Sequence, residues 1–233
     1  MKILHLYYDL MNLYGDYANI STLSRILETN GIEHTVHRLS ITDEIDFNDY
    51  DFVFIGSGSE ENEKVALAHL AKYKEDLKDY IESEKLLLMT GNAFEMLGSS
   101  IKSFLGDFKG LGIFDFTVFE QDKTRTTADA VFGFEKGLQT LVGFVNKCST
   151  IQGIATPLFS VEMGLGNALN DNAEGIAYKN LFGTHLTGPI LVKNPEFLGY
   201  IASLLAGKTL KTDAFSFEKK AYDITLKKLR ERK

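Results

Sequence analysis

Two glycine-bearing turns carry the residues of this 233-residue chain whose types and spacing could support chemistry. The first reads Gly56-Ser57-Gly58-Ser59-Glu60-Glu61-Asn62-Glu63 and follows an apolar run at 51–55. As a dinucleotide loop it fails, because Glu61 stands where the third glycine of G-x-G-x-x-G belongs. It has no lysine for a phosphate loop, and its glutamates would repel phosphate. An ordinary turn fits it; a loop aiming backbone N–H groups at a small polar ligand suits the two glycines better. The second turn reads Met89-Thr90-Gly91-Asn92-Ala93-Phe94-Glu95-Met96-Leu97-Gly98. An apolar strand runs into a tight turn, and Ala93, Met96 and Leu97 carry an apolar face away from it. That is the layout of a nucleophile elbow, but a glycine occupies the turn. On its own it is a tight strand-to-helix turn.

Other reactive residues are sparse. Cys148 is the single cysteine, which excludes an intramolecular disulfide and a cysteine metal cluster, and it reads as a free buried thiol. The five histidines form no HExxH pattern, and the spacing of His34 and His37 puts them on opposite faces of a strand. No metal or cofactor is expected. A formal charge of −7 argues against nucleic-acid binding, which needs a basic face. The basic group Lys227, Lys228, Arg230, Arg232 and Lys233 reads as a solvated helix end. The first residues enter a strand without a signal-peptide apolar region. No apolar run approaches the ~18 residues that span a bilayer. A cytoplasmic location without membrane insertion is expected.

The elements that must position these turns alternate. Strands are predicted at 2–8, 33–39, 51–55 and 85–90. A helix carries Ile20, Leu23, Ile26 and Leu27 at helical spacing, and a second runs over 63–82. Such alternation implies a mostly parallel sheet with helices on both faces and ligands at the strands' C-terminal ends. Between 110 and 154 the pattern turns β-rich, and no linker marks a boundary. These strands are expected to extend the same sheet or cover one end of it. Helices at 196–206 and 214–228 close the chain, and one domain over 1–233 is expected.

These segments together resemble the class I glutamine amidotransferases of the cobyric acid synthase (CobB/CobQ) type, including the amidotransferase subunits of lipid II isoglutaminyl synthase. Tyr8-Asp9-Leu10-Met11-Asn12-Leu13-Tyr14-Gly15-Asp16 with Asn19 is similar to that family's P-D-L-M-N-x-Y-G-D-x-x-N. Residues 55–63 resemble its G-G-G-Q-D oxyanion loop. Residues 110–115 match a recurring stretch, and 178–195, YKNLFGTHLTGPILVKNP, resemble its Y-K-N-x-F-G-T-Y-L-H-G-P-x-L-x-K-N-P. The resemblance implies a class I amidotransferase-like, flavodoxin-like α/β fold. It also implies a Mur ligase-like synthetase as partner, amidating a carboxylate on a cell-wall precursor.

The departures fall on the chemistry. The family's elbow reads C-G-G-x-Q-x-L-G, and alignment on Leu97-Gly98 puts Gly91 at the cysteine and Glu95 at the glutamine. The family's histidine base falls on Thr187, with His185 two residues away. Its G-F-E-N-H segment appears as Gly143-Phe144-Val145-Asn146-Lys147. Glutamine hydrolysis by this route needs a thiolate and a base. Gly91 has no side chain and Thr187 is no base near neutral pH. The expectation is a catalytically degenerate binding, scaffold or regulatory subunit. It should keep a pocket for a small polar ligand from Gly56, Gly58, Ser59, Asn92, Glu95 and His185. Two alternatives stand beside it. One is a working amidotransferase subunit supplying ammonia for amidation of a cell-wall precursor such as lipid II or a cobyrinate-type carboxylate. The other is a repurposed hydrolase or small-molecule binder lined by Glu60, Glu61, Glu95 and His185.

Overall fold

The structure, a computed structural model, describes residues 1–122, 124–136 and 139–232. Its first part alternates as expected: β1 Lys2–Leu6, α1 Tyr17–Thr29, β2 Thr35–Leu39, β3 Phe52–Ile55, α2 Glu60–Leu70, α3 Lys74–Glu82 and β4 Leu86–Thr90. β1 runs parallel to β2 and β3, and β3 runs parallel to β4. The long helix expected over 63–82 is two helices joined by a 3-10 turn, Ala71–Tyr73. Tyr73 leaves the helical region at φ −111°, ψ 19°. The break re-aims the chain so that Leu77, Tyr80 and Ile81 of α3 reach the same core as Ala66, Leu67 and Leu70 of α2.

Among the described residues ten strands follow: β5 Ser100–Ser103, β6 Gly106–Lys109, β7 Thr117–Glu120, β8 Thr126–Phe134, β9 Gln139–Lys147, β10 Ser149–Gln152, β11 Phe159–Met163, β12 Ala173–Glu174, β13 Ile176–Tyr178 and β14 Leu181–Thr184. Only β13 and β14 join the first sheet, whose order is β13-β14-β4-β3-β1-β2. β14 is parallel to β4, and β13 is its antiparallel edge. The other strands do not extend this sheet, which was one of the two arrangements expected; they pack against it instead. They build two further four-stranded sheets, β10-β7-β5-β6 and β12-β11-β8-β9. Alternating hydrophobicity marks a strand without naming its partner, so this division could not be read from 110–154.

The alternation of β1, β3 and β4 splits the interior in two. Leu4, Leu6, Val53, Ile55, Leu87 and Met89 join α2, α3 and the sheet of β7 and β10. Ile3, Phe52, Phe54, Leu86 and Leu88 join α1, the sheet of β8 and β9, and the C-terminal helices. Those helices are α4 Ile190–Lys193, α5 Pro195–Ala206 and α6 Ser216–Arg230. β3 and β4 are buried along their whole length, which is why they read as unbroken apolar runs. α6 ends in Lys227, Lys228 and Arg230. Arg230 pairs with Glu162 and Arg232 with Asp129, whereas Lys233 lies outside the described residues. Among the described residues no helix is long and apolar enough to cross a membrane.

Candidate functional site

β3 and β4 end side by side, with Ile55 opposite Met89, so the two turns that follow them are neighbours at the C-terminal edge of the parallel strands. Gly91 sits at φ +60°, a left-handed conformation that glycine adopts without cost. The helix that this turn opens, Gly91–Leu97, is a 3-10 helix. A Cβ added at 91 would stand 2.6 Å from Ser57 Cβ and closer still to Ser57 Oγ. The serine of the first turn therefore fills the space that a side chain on the second would need.

The opening motif holds this arrangement in place. Asp16, fully buried, accepts the Ser57 N–H on Oδ2 at 2.6 Å. Asn19 accepts the Leu191 N–H at 2.9 Å, tying α1 to α4. Burial raises the Asp16 carboxyl to about 6, and the Ser57 N–H with the nearby Ser57 and Thr90 hydroxyls only partly offsets this. Neither hydroxyl forms a hydrogen bond of ordinary geometry. Asn92 Oδ1 accepts the Gly58 N–H at 2.9 Å, locking one turn to the other.

A cleft of about 330 Å3, counting the part open to solvent, lies over these turns. Gly91, Asn92, Glu95 and His185 line it together with Ser57, Gly58 and Glu60. Gly56, Ser59 and Thr187 do not. Gly56 packs against Met11 and Asp16. Ser59 caps α2 by accepting the Asn62 N–H at 3.2 Å. Thr187 turns its hydroxyl to the Phe144 carbonyl at 3.0 Å. Glu61 is exposed on the first turn of α2, outside the cleft.

Glu95 and His185 meet as a buried pair, His185 Nε2 lying 2.6 Å from Glu95 Oε1. Ser149 Oγ donates to the same oxygen at 2.5 Å. On its other side His185 Nδ1 lies 3.4 Å from Glu174 Oε1, and Glu174 accepts the His185 N–H at 2.7 Å and the Thr184 hydroxyl at 2.6 Å. The imidazole is thus held between two carboxylates and under the Phe94 ring at 4.6 Å. Both of its ring nitrogens face carboxylates.

The opposite wall comes from the middle of the chain. Arg125 pairs with Glu60 and donates to Asn146 Oδ1 at 3.2 Å; Asn146 donates to the Tyr14 hydroxyl at 2.9 Å. Cys148 is half-buried rather than buried, and its thiol lines the cleft and donates to Glu60 Oε1 at 3.2 Å. Burial, followed by the carboxylates of Glu60, Glu95 and Glu120, pushes this thiol far above the ordinary range. Burial also pushes on Glu60, but Cys148, the helix N-terminus and Arg125 outweigh it and hold that carboxylate below its usual value. Lys147 donates to the Gly166 and Asn167 carbonyls at 2.6 and 3.2 Å, and burial lowers its ammonium despite Glu174, Glu95 and Asp171.

Sequence reasoning missed Glu120, Arg125, Cys148 and Ser149 as lining residues, because the strands that bring them had no readable partner. It also missed that Glu63, Glu95 and Glu120 converge. Their sequence separation hides the cluster, and only the loop glutamates gave a partial signal.

The chain matches the CobB/CobQ-like glutamine amidotransferase domain over residues 2–195. It is 35% identical over 225 residues to the lipid II isoglutaminyl synthase (glutamine-hydrolyzing) subunit GatD of Staphylococcus aureus, covering 96% of this chain and 90% of that protein. It is 33% identical to the same-named subunit of Streptococcus pneumoniae, covering 83% of this chain and 76% of that one. Among solved structures it is similar to the glutaminase domain of Trypanosoma brucei CTPS with bound acivicin, with a TM-score of 0.58, 9% identity, and coverage of 89% of this chain and 94% of that one. At that identity the likeness concerns the fold alone.

Proposed function

The chain belongs to the CobB/CobQ-like glutamine amidotransferase family, and from that premise we propose that it is an amidotransferase-like subunit that cannot itself hydrolyse glutamine. One observation carries the reading: Gly91 offers no nucleophile, and Ser57 occupies the room that a nucleophilic side chain would need. The base position adds support, since the Thr187 hydroxyl is committed to a backbone carbonyl. His185 Nε2 is engaged by Glu95 Oε1, so it does not stand free to replace the base lost at 187. The proposed role is binding and scaffolding of a Mur ligase-like synthetase that amidates a carboxylate on a cell-wall precursor. The S. aureus and S. pneumoniae relatives are themselves named as subunits of lipid II isoglutaminyl synthase.

A second reading rests on Cys148, whose thiol faces the same cleft. It would make the chain a working glutaminase with a displaced nucleophile. Against it stand burial of that thiol and then the carboxylates around it, which suppress the thiolate that would react. One experiment separates the two. Purified chain, alone and co-expressed with a Mur ligase-like synthetase, is assayed for glutamine hydrolysis and for labelling by a diazo-ketone glutamine analogue. Neither turnover nor labelling is expected, and the synthetase should co-purify. Stoichiometric labelling that disappears in Cys148→Ala would establish the second reading instead.

A further inference from the structure

At the inner end of the cleft, carboxylates from three elements converge: Glu63 from α2, Glu95 from the turn after β4, and Glu120 from the end of β7. One oxygen from each lies within 4.8 Å of the other two. The three side chains are 0%, 1% and 1% exposed. Each has one oxygen provided for. Lys64 Nζ donates to Glu63 Oε2 at 3.0 Å and to Glu120 Oε1, and Asn92 donates to the same Glu63 oxygen at 3.2 Å. Glu95 Oε1 takes Ser149 and His185. The second oxygen of every one, Glu63 Oε1, Glu95 Oε2 and Glu120 Oε2, is buried without a donor.

Buried acceptors of this kind are costly unless something positive reaches them. Lys64 shares a single charge between Glu63 and Glu120, and Lys147 spends its ammonium on backbone carbonyls. We propose that Glu63, Glu95 and Glu120 hold a hard divalent cation of the magnesium, manganese or calcium class. An all-carboxylate donor set selects such ions over softer ones. The 4.8 Å limit on the oxygen separations suits ligands that each stand about 2.0–2.6 Å from a common ion. Lys64 and Asn92 then orient the ligating carboxylates from outside the coordination sphere.

The placement gives the ion a role. Glu95 and Glu120 line the cleft whereas Glu63 does not, so the protein closes the inner side and the remaining coordination positions face the opening. An ion there makes an acidic cleft able to receive an anionic group, a carboxylate or a phosphate, on a ligand that enters it. A proton is the competing occupant, because burial and the neighbouring Glu95 push the Glu63 carboxyl well above the usual range.

The test uses the full chain after treatment with a chelator. Manganese(II) is titrated and the free ion followed by electron paramagnetic resonance; melting is measured with magnesium or calcium. A single bound manganese(II) per chain is expected. A cation at a hundredfold excess over Kd should raise Tm by about 5 °C or more. Glu120→Gln or Glu63→Gln should weaken binding at least about tenfold, and the distant surface variant Glu162→Gln should leave it unchanged. Should those cluster variants fail to fold, Glu95→Gln takes their place. Failure of the wild-type chain to bind millimolar manganese overturns the proposal, as does binding that survives loss of the cluster glutamates. A rise in Tm on Glu63→Gln with no response to cations overturns it too, and assigns the cluster a shared proton.

Discussion

Position 91 combines a φ of +60° with a Ser57 side chain lying where a Cβ would be built. Both features penalise a side chain there, and they are separable. Gly91→Cys should cost about 2–4 kcal/mol, part from the left-handed backbone and part from the clash. Ser57→Gly relieves only the clash, so the double variant should regain about 1–2 kcal/mol beyond additivity. Urea denaturation of the four members of the cycle measures this, and strict additivity would refute the packing argument. Asp16 makes a different prediction. Its carboxyl moves from 3.8 to about 6 on folding, so between those values the native state binds more protons than the unfolded one. Stability contributed by the neutral carboxyl is therefore complete below the unfolded value and is lost as pH rises through about 6, by roughly 3 kcal/mol in all. His5 acts oppositely: burial and then Arg38 lower it from 6.5 to about 4, so its share of stability is lost as pH falls across that window. Comparing wild type with Asp16→Asn isolates the aspartate. Relative to the variant, wild type should lose stability between about pH 4 and 6, and an unchanged difference across that range would refute the assignment.

Ser59 shows how an element can claim a residue that looks functional. Its hydroxyl caps α2, while Glu60, Glu61 and Glu63 fill the first turn, where acidic groups suit the helix dipole. Ser59→Ala should therefore cost about 1 kcal/mol in stability and leave cation binding by the cleft unaltered; calorimetric Tm and the manganese titration check the two halves. The same contrast decides what the sequence could reveal. β1 to β4 and their helices were legible because period and punctuation coincide there. Gly91, Asn92 and Glu95 were legible together as the turn that ends an apolar strand, whereas His185 joined them only through the family resemblance of 178–195. Residues 126–152 were legible as strands and no further. Their pairing depends on contacts such as Thr126 with Lys147 and Ser149 with Glu120, which local pattern does not encode. Glu120, Cys148 and Ser149 stayed hidden with it.

For the whole molecule, the two cores are back to back across the same strands: Phe54 and Leu88 face one, Ile55 and Met89 the other. Neither core can be exposed without dismantling β3 and β4. The chain should accordingly unfold in one cooperative step, with calorimetric and van't Hoff enthalpies in agreement. Two resolved transitions would show that the outer sheets are independent units. The cleft draws on all three sheets, since β7 and β10 supply Glu120 and Ser149, β9 supplies Asn146 and Lys147, and the parallel strands supply the two turns. Destabilising any one sheet should thus disturb the cleft as well.

Cys148 is the sole residue between β9, which belongs to one outer sheet, and β10, which belongs to the other. Such a join has no slack. Strand faces alternate with every residue, so adding or removing one position there would turn either the β9 pairing or the β10 pairing inside out. Most connections between elements tolerate changes in length; this one holds the spacing of Lys147, Cys148 and Ser149 fixed. Exchanging the side chain at 148 leaves both pairings in register, whereas a change in the segment's length does not.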